Sequence, residues 1–134
     1  MEFMLKTKSI LMPKMESDGL RISIMSRHTL NDGITPHPKI TNFDYDEWMG
    51  DLAPPLKLLG DYYKRGLPWK QFEQNYLKFI RQPDVRGKVQ NLAKRSLCKD
   101  ITLLCIEKTP KYCHRTILAR ECKKYQPSLA LDIM

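Results

Sequence analysis

The chain has 134 residues, 42% hydrophobic and 28% charged, with 23 Lys and Arg against 15 Asp and Glu for a net charge of +8. That length suits one domain with a real core. No apolar run approaches a membrane span, and MEFMLKTKSILMPK breaks its apolar residues with lysines, which argues against a secretory leader. The positive balance favours anionic partners, either a small phosphorylated ligand or nucleic acid; an inert basic surface is the plain alternative.

In chain order, residues 1–19 hold a strand at Met4–Leu11 or an arm that docks on the sheet. LRISIM, Leu20–Met25, enters through Asp18-Gly19 and is the more convincing strand. Residues 26–44 form a long loop with Asn31-Asp32-Gly33, two prolines and two histidines. Irregular segments of that length are uncommon and are often functional or mobile. YDEWMGDLA, from Tyr45, predicts a short helix that stops before Pro54-Pro55. Leu56, Leu59 and Tyr63, with Leu58 and Tyr62, mark a helix ending at Gly66. Pro68 opens the next helix, with Phe72, Tyr76, Phe79 and Ile80 facing inward. Asp84 caps a basic helix whose apolar positions are Val85, Val89, Leu92, Ala93 and Leu97. ITLLCIE, residues 101–107, is apolar enough for a strand covered on both faces. A helix from Cys113 to Tyr125 and a closing strand in LALDIM complete the pattern.

This order predicts an α/β fold over residues 1–134, a small three-layer Rossmann-like sandwich with a short, mostly parallel sheet and right-handed crossovers. Ligands in such sheets collect beyond the carboxyl ends of the strands. Met25–His28 and Cys105–Glu107 then face one crevice.

The four cysteines, Cys98, Cys105, Cys113 and Cys122, show no C-x-x-C spacing. Neither a zinc knuckle nor a thioredoxin-type centre is expected, and no metal or cofactor. A zinc ion held by Cys105, Cys113 and His114 is disfavoured, since adjacent Cys-His does not easily chelate one ion. A chain this large needs no disulfides, so a cytoplasmic protein with reduced thiols is expected.

LLCIEKTPKYCHR, Leu103–Arg115, concentrates the reactive groups. Cys105 and Glu107 lie two apart near a strand end and point to the same side. Whether the following helix starts at Thr109-Pro110 or nearer Cys113, its first turns carry Cys113, His114 and Arg115 beside free N–H groups and the positive dipole end. That setting lowers a thiol pKa and accepts anions. The sharp reading is an anion site. Cys113 serves as nucleophile or redox thiol, His114 as acid or base, and Glu107 as the group that positions or deprotonates a hydroxyl or water. Arg27 and Arg115 clamp the anion, with Cys105 beneath. The bland reading makes Cys105 and Cys122 core residues, bonds His114 to a carbonyl and pairs Glu107 with Arg115 as a structural ion pair. A nucleic-acid surface could instead use Lys88, Lys94, Arg95, Lys99 and Lys123-Lys124, with Tyr62, Tyr63 and Trp69 nearby, although these aromatics share helical spacing with leucines.

The pattern C-x-E-x-x-P-x-x-C-H-R at residues 105–115 resembles the C-terminal signature of an uncharacterised domain-of-unknown-function family related to the YeaO-like proteins. D-x-W-x-x-x-L-A-P-P-x-x-L, with Asp46, Trp48 and Leu52–Pro55, is similar to that family's looser middle pattern. The resemblance covers most of the chain from Leu20 onward. It implies a compact α/β fold with a shared pocket at Arg27, Cys105, Glu107, Pro110, Cys113, His114 and Arg115, and carries no established reaction. Many members resemble Asp-Val-Arg after the early strand where this chain has Met25-Ser26-Arg27, so that aspartate is missing unless Asp32 or Glu107 replaces it. The expected function is a hydrolase or transferase acting on a nucleotide-like or phosphorylated substrate. The alternatives are a non-catalytic nucleic-acid-binding or regulatory protein, or a strand-to-helix lock with function on an oligomer surface.

Overall fold

A computed structural model describes residues 3–134. Five strands, β1 (Met4–Ser9), β2 (Leu20–Ser23), β3 (Glu47–Trp48), β4 (Ile101–Cys105) and β5 (Ala130–Ile133), form one sheet in the order β3-β2-β4-β1-β5. Every neighbouring pair is parallel. Four helices accompany it: α1 (Leu56–Arg65), α2 (Trp69–Ile80), α3 (Pro83–Ser96) and α4 (His114–Tyr125). The predicted α/β, Rossmann-like fold is present.

Topology decides what covers each face. The connections β1→β2 and β2→β3 step one way along the sheet, and β3→β4 and β4→β5 step back. Crossovers of one hand place the two directions on opposite faces. Register follows suit. Leu5, Ile101 and Leu20 form one row, and Leu103 and Ile22 the next. These rows meet the buried faces of all four helices, including Leu58, Phe72, Tyr76, Ile80, Val89, Leu92 and Leu118.

The opposite face carries no α-helix among the described residues; irregular chain with one 3-10 turn at Glu16–Asp18 covers it, so the third of the expected three layers is loop and not helix. Residues 10–19 join β1 to β2, fewer than the dozen or so residues that a helical crossover takes. Irregular backbone cannot satisfy itself when buried, so side chains do it. Asp18 accepts Lys8 Nζ at 3.0 Å and Arg21 Nη1 at 2.5 Å. Thr102 Oγ1 donates to the Asp18 carbonyl at 2.7 Å, and Arg21 Nε to the Asp44 carbonyl at 2.8 Å. Gly19 turns the chain at φ 66°, and a Cβ there would sit 2.3 Å from the Asp100 carbonyl oxygen, so glycine is required.

Several sequence expectations shift. The Met4–Leu11 segment is a strand, not an arm, and lies between β4 and β5. YDEWMGDLA is not a helix: Glu47–Trp48 pairs with Ile22 and Ser23 at the sheet edge, and one tight turn follows at Gly50–Leu52. The cause is a two-way grip on the backbone. Asp46 accepts the Arg21 N–H at 2.8 Å and returns its own N–H to the Arg21 carbonyl at 2.7 Å, which holds the segment extended. Gly66 ends α1 at φ 73° as read from sequence. Asp84 sits in the first turn of α3, while Gln82 holds the cap position ahead of Pro83. Thr109-Pro110 stays in the loop, and Cys113 is the cap residue of α4. No helix among the described residues is long and apolar enough to cross a membrane.

Candidate active site

The chains leaving β2 and β4, adjacent strands, depart for opposite faces, which opens a crevice beyond their carboxyl ends. A cleft of about 480 Å³ lies there, within the range of small-molecule sites. Met25–Arg27 and Thr29–Asn31 line it after β2, Cys105–Glu107 after β4, and His114 at the start of α4. Helix α1 supplies the remaining wall with Leu56, Leu59, Gly60, Tyr63 and Lys64. The two apolar stripes of α1 thus have different duties. Leu58 and Tyr62 pack into the core, Leu56 and Tyr63 border the cleft, and Leu59 touches both.

At the cleft floor Cys105 meets His114. A carbonyl only accepts, so His114 Nε2 carries a hydrogen and donates to the Ile24 oxygen at 2.8 Å. With Nε2 so committed, Nδ1 is the nitrogen left to face Cys105, 3.8 Å from its Sγ. Behind Cys105 lies Cys113. Both sulfurs and an imidazole nitrogen fall within 4.8 Å of one another, and all three residues are buried. These donor types suit zinc, three where a structural site uses four. The fold therefore gathers groups that their sequence spacing had set apart.

The two thiols differ sharply. A hydrogen bond from the Cys113 thiol, foremost, holds Cys105 below the ordinary thiol range, helped by the Glu107 N–H, the Arg115 charge and the Ile106 N–H, and opposed by burial. Cys113 is pushed far up by the same hydrogen bond and by its own burial. Cys105 lines the cleft and Cys113 does not.

Glu107 accepts the Tyr63 hydroxyl across the cleft. Tyr63 is held above the usual tyrosine range, by burial of its hydroxyl first and by Glu107 second. Arg115 is fully buried and is no part of the cleft wall. Its Nη1 donates to the Glu107 carbonyl at 2.9 Å and its Nη2 to the Met134 main-chain oxygen at 3.2 Å. The contact with Glu107 therefore runs through backbone, not through a carboxylate. Among the described residues no side-chain carboxylate forms a salt bridge with Arg115.

Arg27 and His114 share the cleft despite coming from different segments. Arg27 reaches its place because Gly33 leaves room: a Cβ there would lie 2.3 Å from Arg27 Nη1, and Gly33 has φ 74°. Asp32 shapes the same loop tip. It accepts the Ile34 and Thr35 N–H groups at 2.9 Å each and the Thr35 hydroxyl at 2.6 Å. Those bonds, the Thr35 hydroxyl first, hold its carboxyl at about 2. Asp32 is committed to the loop and does not line the cleft. Lys64 and Asn31 were not among the site residues expected from sequence, and Tyr63 was named only as an aromatic near the alternative nucleic-acid surface. The one trace available was Gly60, a bare position inside an otherwise amphipathic helix.

The model of the DUF488-N3a family, described as the active DUF488-N3 subclade, matches residues 5–126. This chain belongs to that family. The DUF488-N3a match runs from β1 through α4 and takes in every residue of the cleft. Comparison with curated proteins and with solved structures produced no match.

Proposed function

We propose that the cleft is the active site of a thiol-dependent hydrolase or transferase acting on a nucleotide-like or other phosphorylated substrate. The observation that carries this reading is the Cys105 sulfur set against His114 Nδ1 while Nε2 is committed to the Ile24 carbonyl. Cys105 gives its proton to Nδ1, and its sulfur bonds to the electrophilic centre as the leaving-group bond breaks. The leaving group takes the His114 proton. Water, or an acceptor hydroxyl, then displaces the thiolate, with its proton received by the Tyr63–Glu107 pair. Cys113, the nucleophile expected from sequence, becomes the donor that supports the Cys105 thiolate. Arg115 adds buried positive charge from behind, and Arg27 and Lys64 receive the anionic group at the rim.

The subclade's description as active suits an enzyme. We read the C-x-E-x-x-P-x-x-C-H-R signature, and the kinship with YeaO-like proteins, as pointing to this same cleft. Reduced thiols of this kind fit a cytoplasmic setting. The nucleic-acid reading has less support, because much of its basic surface is already engaged. Lys88 pairs with Asp51 and Arg95 with Glu47, both at 2.6 Å. Lys123 donates to the Pro127 and Leu129 carbonyls.

A thermal-shift screen of nucleotides and phosphosugars tests the proposal. One member should raise Tm, and Arg27→Ala should abolish the rise. Stabilisation that survives both Arg27→Ala and Lys64→Ala rules out the cleft. Steeply salt-dependent nucleic-acid binding that survives the same substitutions favours the surface reading instead.

A further inference from the structure

Cys113 is 2% exposed and sits behind Cys105, which is 5% exposed and borders the cleft. The two flank the irregular segment 106–112, at the last residue of β4 and the cap of α4. Their sulfurs lie within 4.8 Å, and both are free thiols. The other cysteines differ: Cys122 turns its sulfur toward the Val89 carbonyl, and Cys98 is exposed.

We propose that Cys105 and Cys113 form a peroxide-sensitive dithiol, in which a hydroperoxide oxidises Cys105 and Cys113 resolves the product to an intramolecular disulfide. The inference rests on Cys105 being the reactive thiol of the proposed site. The Cys105 thiolate attacks the terminal peroxide oxygen, the O–O bond breaks, and water or an alcohol departs. Cys105 is left as a sulfenic acid. The Cys113 sulfur then bonds to the Cys105 sulfur, its proton leaves with the displaced hydroxyl as water, and the disulfide forms. In sum, two thiols and one hydroperoxide become one disulfide, one alcohol or water, and one water.

Access sets the order of events. A small oxidant entering the cleft meets Cys105, while Cys113 is reached only from inside. A disulfide needs the sulfurs at about 2 Å, so the pair closes by rotation of both side chains and a shift of segment 106–112. Three side chains hold that segment by its carbonyls: Ser9 Oγ on Ile106 at 3.3 Å, Arg115 on Glu107 at 2.9 Å and Thr116 Oγ1 on Pro110 at 2.7 Å. Closure removes the nucleophile from the cleft until a thiol reductant restores it.

The test is hydrogen peroxide added to the reduced full chain, followed by non-reducing peptide mapping. The expected result is a Cys105–Cys113 linked peptide, a mass loss of two hydrogens, and reversal by dithiothreitol. Cys113→Ser, or Cys113→Ala if the serine variant does not fold, should lose the link and hold Cys105 as a sulfenic acid that dimedone labels. Oxidation that leaves both thiols free, or joins either to Cys98, overturns the proposal. If the pH midpoint of Cys105 alkylation still lies below that of free cysteine in solution, the enzyme reading survives that failure. If it does not, the enzyme reading falls separately.

Discussion

His114 donates its Nε2 hydrogen to the Ile24 carbonyl at 2.8 Å, a bond that ties the start of α4 to the chain leaving β2 across 90 residues. It also decides which ring nitrogen faces Cys105. The lowered Cys105 pKa means that thiolate accumulates at a lower pH than for an ordinary thiol. The alkylation rate of Cys105 should therefore rise with pH along a curve whose midpoint lies below that of free cysteine in solution. Arg115→Gln should move this midpoint up, since the loss of a buried cation removes one of the influences that lower it. By linkage, a depressed folded-state pKa contributes stability above the unfolded value and loses it as pH falls through the folded one. Blocking this thiol should therefore remove more stability near pH 9 than near neutrality. Rates followed by mass spectrometry against pH check the first two expectations, and urea titrations at both pH values check the third.

Tyr63 and Glu107 face each other across the mouth of the cleft, and the raised pKa of Tyr63 keeps its phenol protonated through the neutral range. Glu107→Gln removes the proposed proton acceptor and should lower kcat by roughly 10²-fold or more, with little change in KM. Tyr63→Phe should cost less, because the carboxylate remains. Steady-state kinetics on a substrate from the ligand screen decides this, and equal losses in KM would assign the pair to binding.

Gly33 packs its loop against Arg27, the residue proposed to receive the anionic group. Gly33→Ala places a methyl group 2.3 Å from Arg27 Nη1 and strains a backbone at φ 74°. The strain should cost about 1–2 kcal/mol. The displaced guanidinium should also reduce the Tm rise given by an anionic ligand, most of the way to that of Arg27→Ala. Unchanged ligand stabilisation in the variant would separate Arg27 from the site.

Asp18 answers two buried cations at once, Lys8 and Arg21. Burial alone would raise its pKa, but the Met15 N–H, Lys8 and Arg21 together bring it below the ordinary value. Asp18→Asn should cost about 3–5 kcal/mol, because it leaves both cations without their partner. The depressed pKa contributes stability above the unfolded carboxyl value, lost as pH falls through the folded one. Stability of the wild type should thus decline below about pH 4, and the asparagine variant should show a shallower decline in urea titrations.

Local periodicity made much of the fold legible in sequence. The near-continuous apolar run of β4 marked a strand covered on both faces, and the helical stripes of α1, α2 and α3 appeared at their observed places. Such signals arise from neighbours a few residues apart, and sequence carries them directly. β3 escaped because its extended form is imposed by Arg21 on Asp46, a contact between distant segments that outweighs local preference.

The candidate site divides along the same line. Sequence by itself determined that a thiol-rich, imidazole- and guanidinium-bearing segment follows a buried strand, and that an arginine leaves an earlier one. Tertiary structure alone decided that Cys105 borders the cleft while Cys113 lies behind it, that Arg115 is buried on main-chain oxygens, and that α1 contributes Tyr63 and Lys64. The physical reason is that strand order and crossover direction open the crevice between β2 and β4, and both depend on packing among segments tens of residues apart.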